Sequence, residues 1–201
     1  MASSTRSVRA ETRREELLAA AVRVFARRGY HTCRVSDIAD EAGVSHGLVY
    51  HYFSSKDEVL ETIFRDNWGP IAIAVDEIAA SGEPAAEHIR KIAALVLHAW
   101  RRDPETVRVL VREISRSPQL QERIGEFQHA FDALERVIVA GQERGEFDAG
   151  LDPRFATFAV WGTLDEVLTG WVLGRLPGEP GDIDVAEETV TAMLRRALAP
   201  G

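Results

Sequence analysis

Residues 35–56, VSDIADEAGVSHGLVYHYFSSK, decide how the rest of the chain is read. Val35, Ile38, Ala39 and Ala42 fall at i, i+3, i+4 and i+7, which places apolar side chains on one face of a short helix, Val35–Ala42. Gly43 ends it, since a residue without a Cβ takes the left-handed conformation cheaply. Ser45 is expected to cap the following helix, His46–Phe53, by accepting from the amides of its first turn. Only Leu48, Val49 and Phe53 of that helix can be buried together. Ser45, His46, Gly47, Tyr50, His51 and Tyr52 remain outside, an uncharged set where a solvated helix usually carries Lys, Glu and Arg. Short donors and acceptors, with Gly47 where the backbone nears the bases, suit a helix entering the DNA major groove. The segment reads as a helix-turn-helix.

The formal charge of −8 looks wrong for a nucleic-acid binder until it is divided along the chain. Residues 1–56 hold nine Arg or Lys against six acids, a balance of +3, and the remainder carries −11. Phosphate binding is local and needs cations only on the docking face. An acidic remainder would turn that face toward DNA.

These residues resemble the DNA-binding domain of the TetR family of bacterial transcriptional regulators, whose pattern runs IA..AGVS.G..Y.YF..K. Ile38, Ala39, Ala42, Gly43, Val44, Ser45, Gly47, Tyr50, Tyr52, Phe53 and Lys56 stand in register with it. The resemblance implies an all-α, nine-helix architecture. A three-helix DNA-binding domain, residues 1–56, would precede a ligand-binding and dimerisation domain, residues 57–201. It further implies that His46, Gly47 and His51 face base edges, while Thr32, Arg34, Ser45, Tyr50, Tyr52 and Lys56 hold phosphates. The chain departs from the pattern at Arg34, where the family usually has Thr or Ser to cap the helix. That cap is then weaker or comes from Thr32, and Arg34 is free to reach a phosphate.

Elsewhere the pattern is helical throughout. Residues 1–9 are Ser- and Arg-rich and read as a disordered tail. Leu17, Leu18, Ala21, Val22, Val24 and Phe25 mark a first helix from about Ala10 to Arg28, closed by Gly29. Ser54 or Ser55 caps a fourth helix reaching about Ser81, with a kink or break expected at Gly69–Pro70. Five more follow: roughly Pro84–Arg102, Pro104–Arg116, Pro118–Arg144, Pro153–Gly174 and Asp182–Leu198. LPGEPGD, residues 176–182, reads as a loop.

The eighth helix is apolar on nearly every side, so its own domain covers one face and a second subunit is expected on the other. Phe158, Trp171 (or Trp161), Leu168, Met193 and Leu194 are the expected interface of a homodimer, with Gly162 and Gly170 permitting close helix approach. Two reading heads would match a palindromic operator in double-stranded DNA.

LVREISRSPQLQERI (110–124), GEFDAGLDPRFA (145–156) and WGTLDEVLTGWVLG (161–174) look like the matching parts of the family's fatty-acid-degradation repressors. Those release DNA on binding long-chain acyl-coenzyme A. The resemblance implies a small hydrophobic effector. Phe127, Phe131, Leu134, Trp161, Leu164 and Leu168 would line its channel. Arg108 and Arg112 would meet its phosphates, and Asp165 would need a partner such as Arg112. A hydrophobic drug or another lipid, or an activator with the same head, fits the same pattern.

Catalysis finds little support. No nucleophile motif, phosphate loop or dinucleotide fingerprint occurs, and Asp165 and Glu166, adjacent on a helix, diverge too far to act as a dyad. The histidines lack metal-site spacing, and no metal or cofactor is expected. A helical lipid carrier would not need the uncharged reading face. Cys33, the single cysteine, forms no internal disulfide and reads as a packed residue in a cytoplasmic protein. No apolar run is long enough to span a membrane.

Overall fold

The computed structural model describes the backbone of residues 2–114, 117 and 124–201, and the side chains of 8–114, 117 and 128–201. Among the described residues there are nine helices: α1 (Ala2–Arg28), α2 (Val35–Ala42), α3 (His46–Tyr52), α4 (Lys56–Ala80), α5 (Ala85–Arg102), α6 (Pro104–Ile114), α7 (Ile124–Glu143), α8 (Pro153–Val172) and α9 (Pro180–Leu198). The beginning expected for α7 at Pro118, and the end expected for α6 at Arg116, fall outside the described residues.

Several boundaries differ from expectation for local reasons. α1 starts at Ala2 rather than near Ala10, in place of a disordered tail. Residues 2–9 hold neither Pro nor Gly, so nothing interrupts the amide ladder, and the Thr12 hydroxyl donates to Val8 O at 3.0 Å. α4 is capped by Ser55, whose Oγ accepts from Glu58 N at 3.1 Å, and it runs unbroken through Gly69–Pro70. Pro70 has no amide to give the carbonyl of Asp66, but burial of α4 on both sides of that turn holds the helix together. α9 begins inside the expected loop, with Pro180 in its first turn and Asp182 Oδ2 accepting from Glu179 N at 3.0 Å.

Two cores result. The head core gathers Leu17, Phe25, Ile38, Val49 and Phe53, the first half of α4 (Val59, Leu60, Ile63, Phe64), and Val109 and Leu110 of α6. The body core gathers α5, α7, α8 and α9 around Leu97, Trp100, Leu134, Ile138, Val160, Leu164 and Leu194. Each large apolar side chain buried in this way contributes on the order of 1.5–3 kcal/mol. Trp68 packs against both cores, so α4 is one of the elements the two halves share. Among the described residues no helix is long and apolar enough to cross a membrane.

Candidate nucleic-acid interface and effector half

The turn between α2 and α3 forms as the glycine requires. Gly43 sits at φ 66, and Gly43 N and Val44 N donate to Asp40 O and Ala39 O at 3.2 and 3.0 Å. Val49 and Phe53 hold α3 on the head core, whereas Leu48 is only half-buried. Ser45, His46, Gly47, Tyr50 and His51 are exposed together, and Tyr52 is half-buried with its ring edge-on to His51 at 5.3 Å. The uncharged outer face expected of α3 is therefore presented as one surface.

Ser45 does not cap α3 with its side chain; Leu48 N donates instead to the backbone oxygen of Ser45 at 3.0 Å. The hydroxyl stays available on the outer surface. Thr32 does not cap α2 either, because its hydroxyl points back, donating to Arg28 O and to Gly29 O, the latter at 3.2 Å, and so finishes α1. A guanidinium cannot accept, so Arg34 leaves the capping to Asp37, whose Oδ2 takes the Arg34 amide at 2.7 Å. The Arg34 side chain is exposed.

The basic balance of the head is largely tied up internally. Arg23 Nε meets Glu41 Oε1 at 2.8 Å, Arg27 pairs with the other oxygen of Glu41, and Arg28 Nη1 meets Asp37 Oδ1 at 2.5 Å. These pairs pin α2 to α1. The Arg34 amide and the Arg28 guanidinium hold the Asp37 carboxyl below the usual carboxylate range, and Arg23 and Arg27 do the same to Glu41. Lys56, expected to bind phosphate, has its ammonium 2.7 Å from Tyr30 O and 3.0 Å from Cys33 O, over the Tyr30 ring at 4.3 Å. It closes the α1–α2 corner onto α4. Cys33 is buried beneath it, and burial pushes its thiol up, the opposite of a reactive thiolate.

In the body, Leu134, Trp161 and Leu164 are buried and Phe131 and Leu168 half-buried, as an effector channel would need; the Phe127 side chain lies outside the described residues. Phe131 stacks on Trp161 with centroids 5.3 Å apart and meets Phe158 at 5.1 Å. Trp161 in turn meets Trp68 at 6.0 Å, and Trp68 stacks on Phe64 at 6.3 Å. An aromatic series thus runs from the surface of α8 to the head core. Periodicity along the chain does not show Trp68 or this series, because α4, α7 and α8 meet only in the fold.

Of the arginine expectations, the pairing of Arg112 with Asp165 does not form. Arg108 lies over the Trp100 ring at 5.8 Å, and Arg112 Nη1 reaches Ala26 O of α1 at 3.5 Å. Arg112 does not pair with Asp165, which is exposed on α8, where the apolar surroundings and neighbouring Glu166 raise its carboxyl above the usual range.

The interface set separates as well. Phe158 and Met193 are exposed (55% and 49%), together with Phe155, Leu173, Leu176 and Val185. Trp171 and Leu194 face their own core: Trp171 stacks on Trp100 at 6.0 Å and donates from Nε1 to Pro177 O at 2.9 Å. Gly170 is filled by Leu176 of the same chain, where an added Cβ would stand 2.6 Å from Cδ1, whereas Gly162 faces open space. A helix apolar all round is thus covered on more of its circumference by its own protomer than its composition indicates.

A helix-turn-helix head sharing one helix with an all-helical, aromatic-lined body is the build of a ligand-responsive DNA-binding regulator. Residues 17–63 match the model of bacterial regulatory proteins of the tetR family, and residues 82–196 match that of the tetracyclin repressor-like C-terminal domain. The chain belongs to the TetR family of transcriptional regulators. It is 31% identical over 160 residues to the fatty acid metabolism regulator protein of Bacillus subtilis, covering 79% of this chain and 82% of that one. It is 30% identical over 196 residues to the transcriptional repressor KstR2 of Rhodococcus jostii, covering 94% and 92%. The crystal structure of FadR from Bacillus subtilis in complex with stearoyl-CoA superposes with a TM-score of 0.79 at 27% identity, covering 92% of this chain and 98% of that one. These relatives are regulators, not enzymes.

Proposed function

We propose that this protein is a repressor that binds a palindromic operator as a homodimer and is released by a hydrophobic effector, with long-chain acyl-coenzyme A the first candidate. The observation that carries the reading is the outer face of α3, where Ser45, His46, Gly47, Tyr50 and His51 are exposed together and bear no Lys, Arg, Asp or Glu. Base edges are read by such groups, while phosphates are held around them. Arg34, exposed beside α2, supplies a phosphate contact, Ser45, Tyr50 and Tyr52 add hydroxyls, and Thr32 joins them when its hydroxyl turns away from Arg28 O. Lys56 acts chiefly by positioning the corner. The protein would work in the cytoplasm, where its operator is.

Dimerisation is supported by the apolar surface left bare on α8, α9 and the loop between them, from Phe155 and Phe158 to Leu173, Val185 and Met193. Two heads about 34–36 Å apart fill successive major grooves, so a modest rotation of the bodies suffices to lose one half-site. The effector is supported by the aromatic series and by the likeness to FadR, whose structure holds stearoyl-CoA. Arg108 and Arg112 already have partners at Trp100 and Ala26, which favours a second reading, an uncharged hydrophobic effector. Each guanidinium has five N–H donors, so both keep capacity for phosphate. Titrating acyl-coenzyme A, and separately a planar hydrophobic drug, into the protein–operator complex tests the assignment. Release at micromolar acyl-coenzyme A, lost in Arg112→Glu, supports it; release by the drug alone overturns the acyl assignment. Absence of any site-specific shift on the promoter DNA of its own gene at low salt overturns the whole reading.

A further inference from the structure

Among the described residues, the buried polar atoms without a hydrogen-bond partner are His88 Nδ1, Glu113 Oε2, Trp161 Nε1 and Thr191 Oγ1. Glu113 has His31 near it, and the other Nε2 of His88 meets Ser81 Oγ at 3.0 Å. Trp161 is different. Its side chain is 7% exposed, its one polar atom is a donor, and its ring neighbours are Phe131 and Trp68, which offer no acceptor at their ring faces beyond a weak π contact. A buried tryptophan N–H ordinarily finds a partner, and leaving one without is costly because its hydration is lost and not replaced. In the same protomer, Trp171 donates from its Nε1 to a carbonyl, so the fold is able to satisfy a buried indole where it needs to.

The orphan donor stands in the middle of the aromatic series, between Phe158 at the surface and Trp68 on α4. We propose that the indole N–H of Trp161 is the donor that fixes the effector, and that the effector therefore carries an uncharged carbonyl oxygen within its apolar length, as an acyl thioester or ester does. This rests on the effector reading above and narrows it. A carboxylate would also accept from the indole, but Asp165 lies one turn further along α8 on the same side, with Glu166 next to it. A carboxylate brought to a buried indole whose ring neighbours are aromatic would also carry the desolvation cost of an unpaired charge, which a neutral carbonyl avoids. A hydrocarbon without oxygen would pack against the same rings and leave the N–H as it is. A carbonyl that accepts from the indole satisfies it and acts on the ring that touches Trp68, the residue packed against both cores.

The test compares three probes of equal chain length: palmitoyl-coenzyme A, its thioether analogue hexadecyl-coenzyme A, and free palmitate. The unmodified protein is expected to bind the thioester about tenfold more tightly than the thioether, the worth of one ordinary hydrogen bond, and palmitate most weakly. Trp161→Phe keeps a ring and removes the donor. It should bind thioester and thioether alike, with its fold checked by circular dichroism. In the unmodified protein, one indole N–H resonance should move downfield with the thioester and stay put with the thioether, a readout that needs no variant. An unchanged thioester preference in Trp161→Phe, or an unmoved indole resonance, overturns this inference while the acyl effector stands. If the unmodified protein binds none of the three probes, the acyl effector and this inference fall together.

Discussion

His31 Nε2 stands 3.4 Å from Oε2 of Glu113, an exposed imidazole of the head against a carboxylate that α6 buries to 5% exposure. Alongside, Arg112 reaches Ala26 O, and Val109 and Leu110 enter the head core. α6 therefore touches α1 through both polar and apolar contacts, a second connection between body and head besides α4. A double-mutant cycle of His31→Ala and Glu113→Gln should give a coupling of about 0.5–1 kcal/mol, small because the imidazole is exposed. Chemical denaturation of the four proteins measures it, and a coupling of zero means that the pair does no more than approach.

On the reading helix, His46→Ala and His51→Ala should each change preference among operator variants by about 1–3 kcal/mol at one base pair. Arg34→Ala should weaken all sequences alike and lower the salt slope by about one phosphate contact. Lys56→Met should behave differently. Its ammonium ties two carbonyls and covers the Tyr30 ring, so its loss should cost on the order of 1–3 kcal/mol of stability. Binding against salt concentration, paired with melting curves, separates the two behaviours. A salt slope that falls for Lys56→Met with no change in melting would reverse the assignment.

At the bare apolar face, Phe158→Arg and Met193→Glu should yield folded monomers, because those side chains are exposed in the protomer. Leu194→Arg and Trp171→Arg should instead unfold it, since both lie in the protomer's own core and a buried unpaired charge costs several kcal/mol. Sedimentation velocity with circular dichroism distinguishes a monomer from a collapsed chain. A Phe158→Arg protein that remains dimeric at micromolar concentration would place the interface elsewhere.

Acid should loosen the head. Asp37, Glu41 and Glu58 are held below the ordinary carboxylate range by the Arg34 amide and Arg28, by Arg23 and Arg27, and by Ser54 respectively. Because the folded chain binds those protons less readily than the unfolded chain, their stabilisation is complete above roughly pH 4–5 and is lost as pH falls through the lowered values. In Glu41→Gln the melting temperature should fall less on acidification. His88 works at higher pH: burial lowers its pKa, and the unfolded chain takes up a proton near pH 6.5 that the folded chain resists. Its contribution is present above that pH and lost below it. Asp165 has the opposite sign, since its raised carboxyl makes the charged form a burden at neutral pH, so Asp165→Asn should melt higher at pH 7 than the unmodified protein. A His88→Ala protein whose melting temperature falls between pH 7 and 5 as much as that of the unmodified protein would show that His88 contributes nothing there.

The sequence by itself determined the helix-turn-helix, the all-α class and the uncharged face of α3, because these follow from periodicity of 3.6, one φ-positive glycine and residue types that a few neighbouring positions display together. It also determined that α8 must be buried deeply. Which side of α8 is covered by its own protomer was settled only by the fold, where Trp171 turned inward onto Trp100 and Phe158 outward. Apolarity states that a side chain must be covered and carries no information about which body covers it. The same holds for charge: Arg23, Arg27, Arg28, Arg112 and Lys56 look free along the chain, yet each finds a partner on another element. Long cationic side chains reach acceptors in any direction, so their partners are fixed by how helices cross, which spacing along one helix does not encode. Trp161 and Trp68 meet for the same reason: their contact depends on how α4 and α8 pack, and no local pattern specifies that.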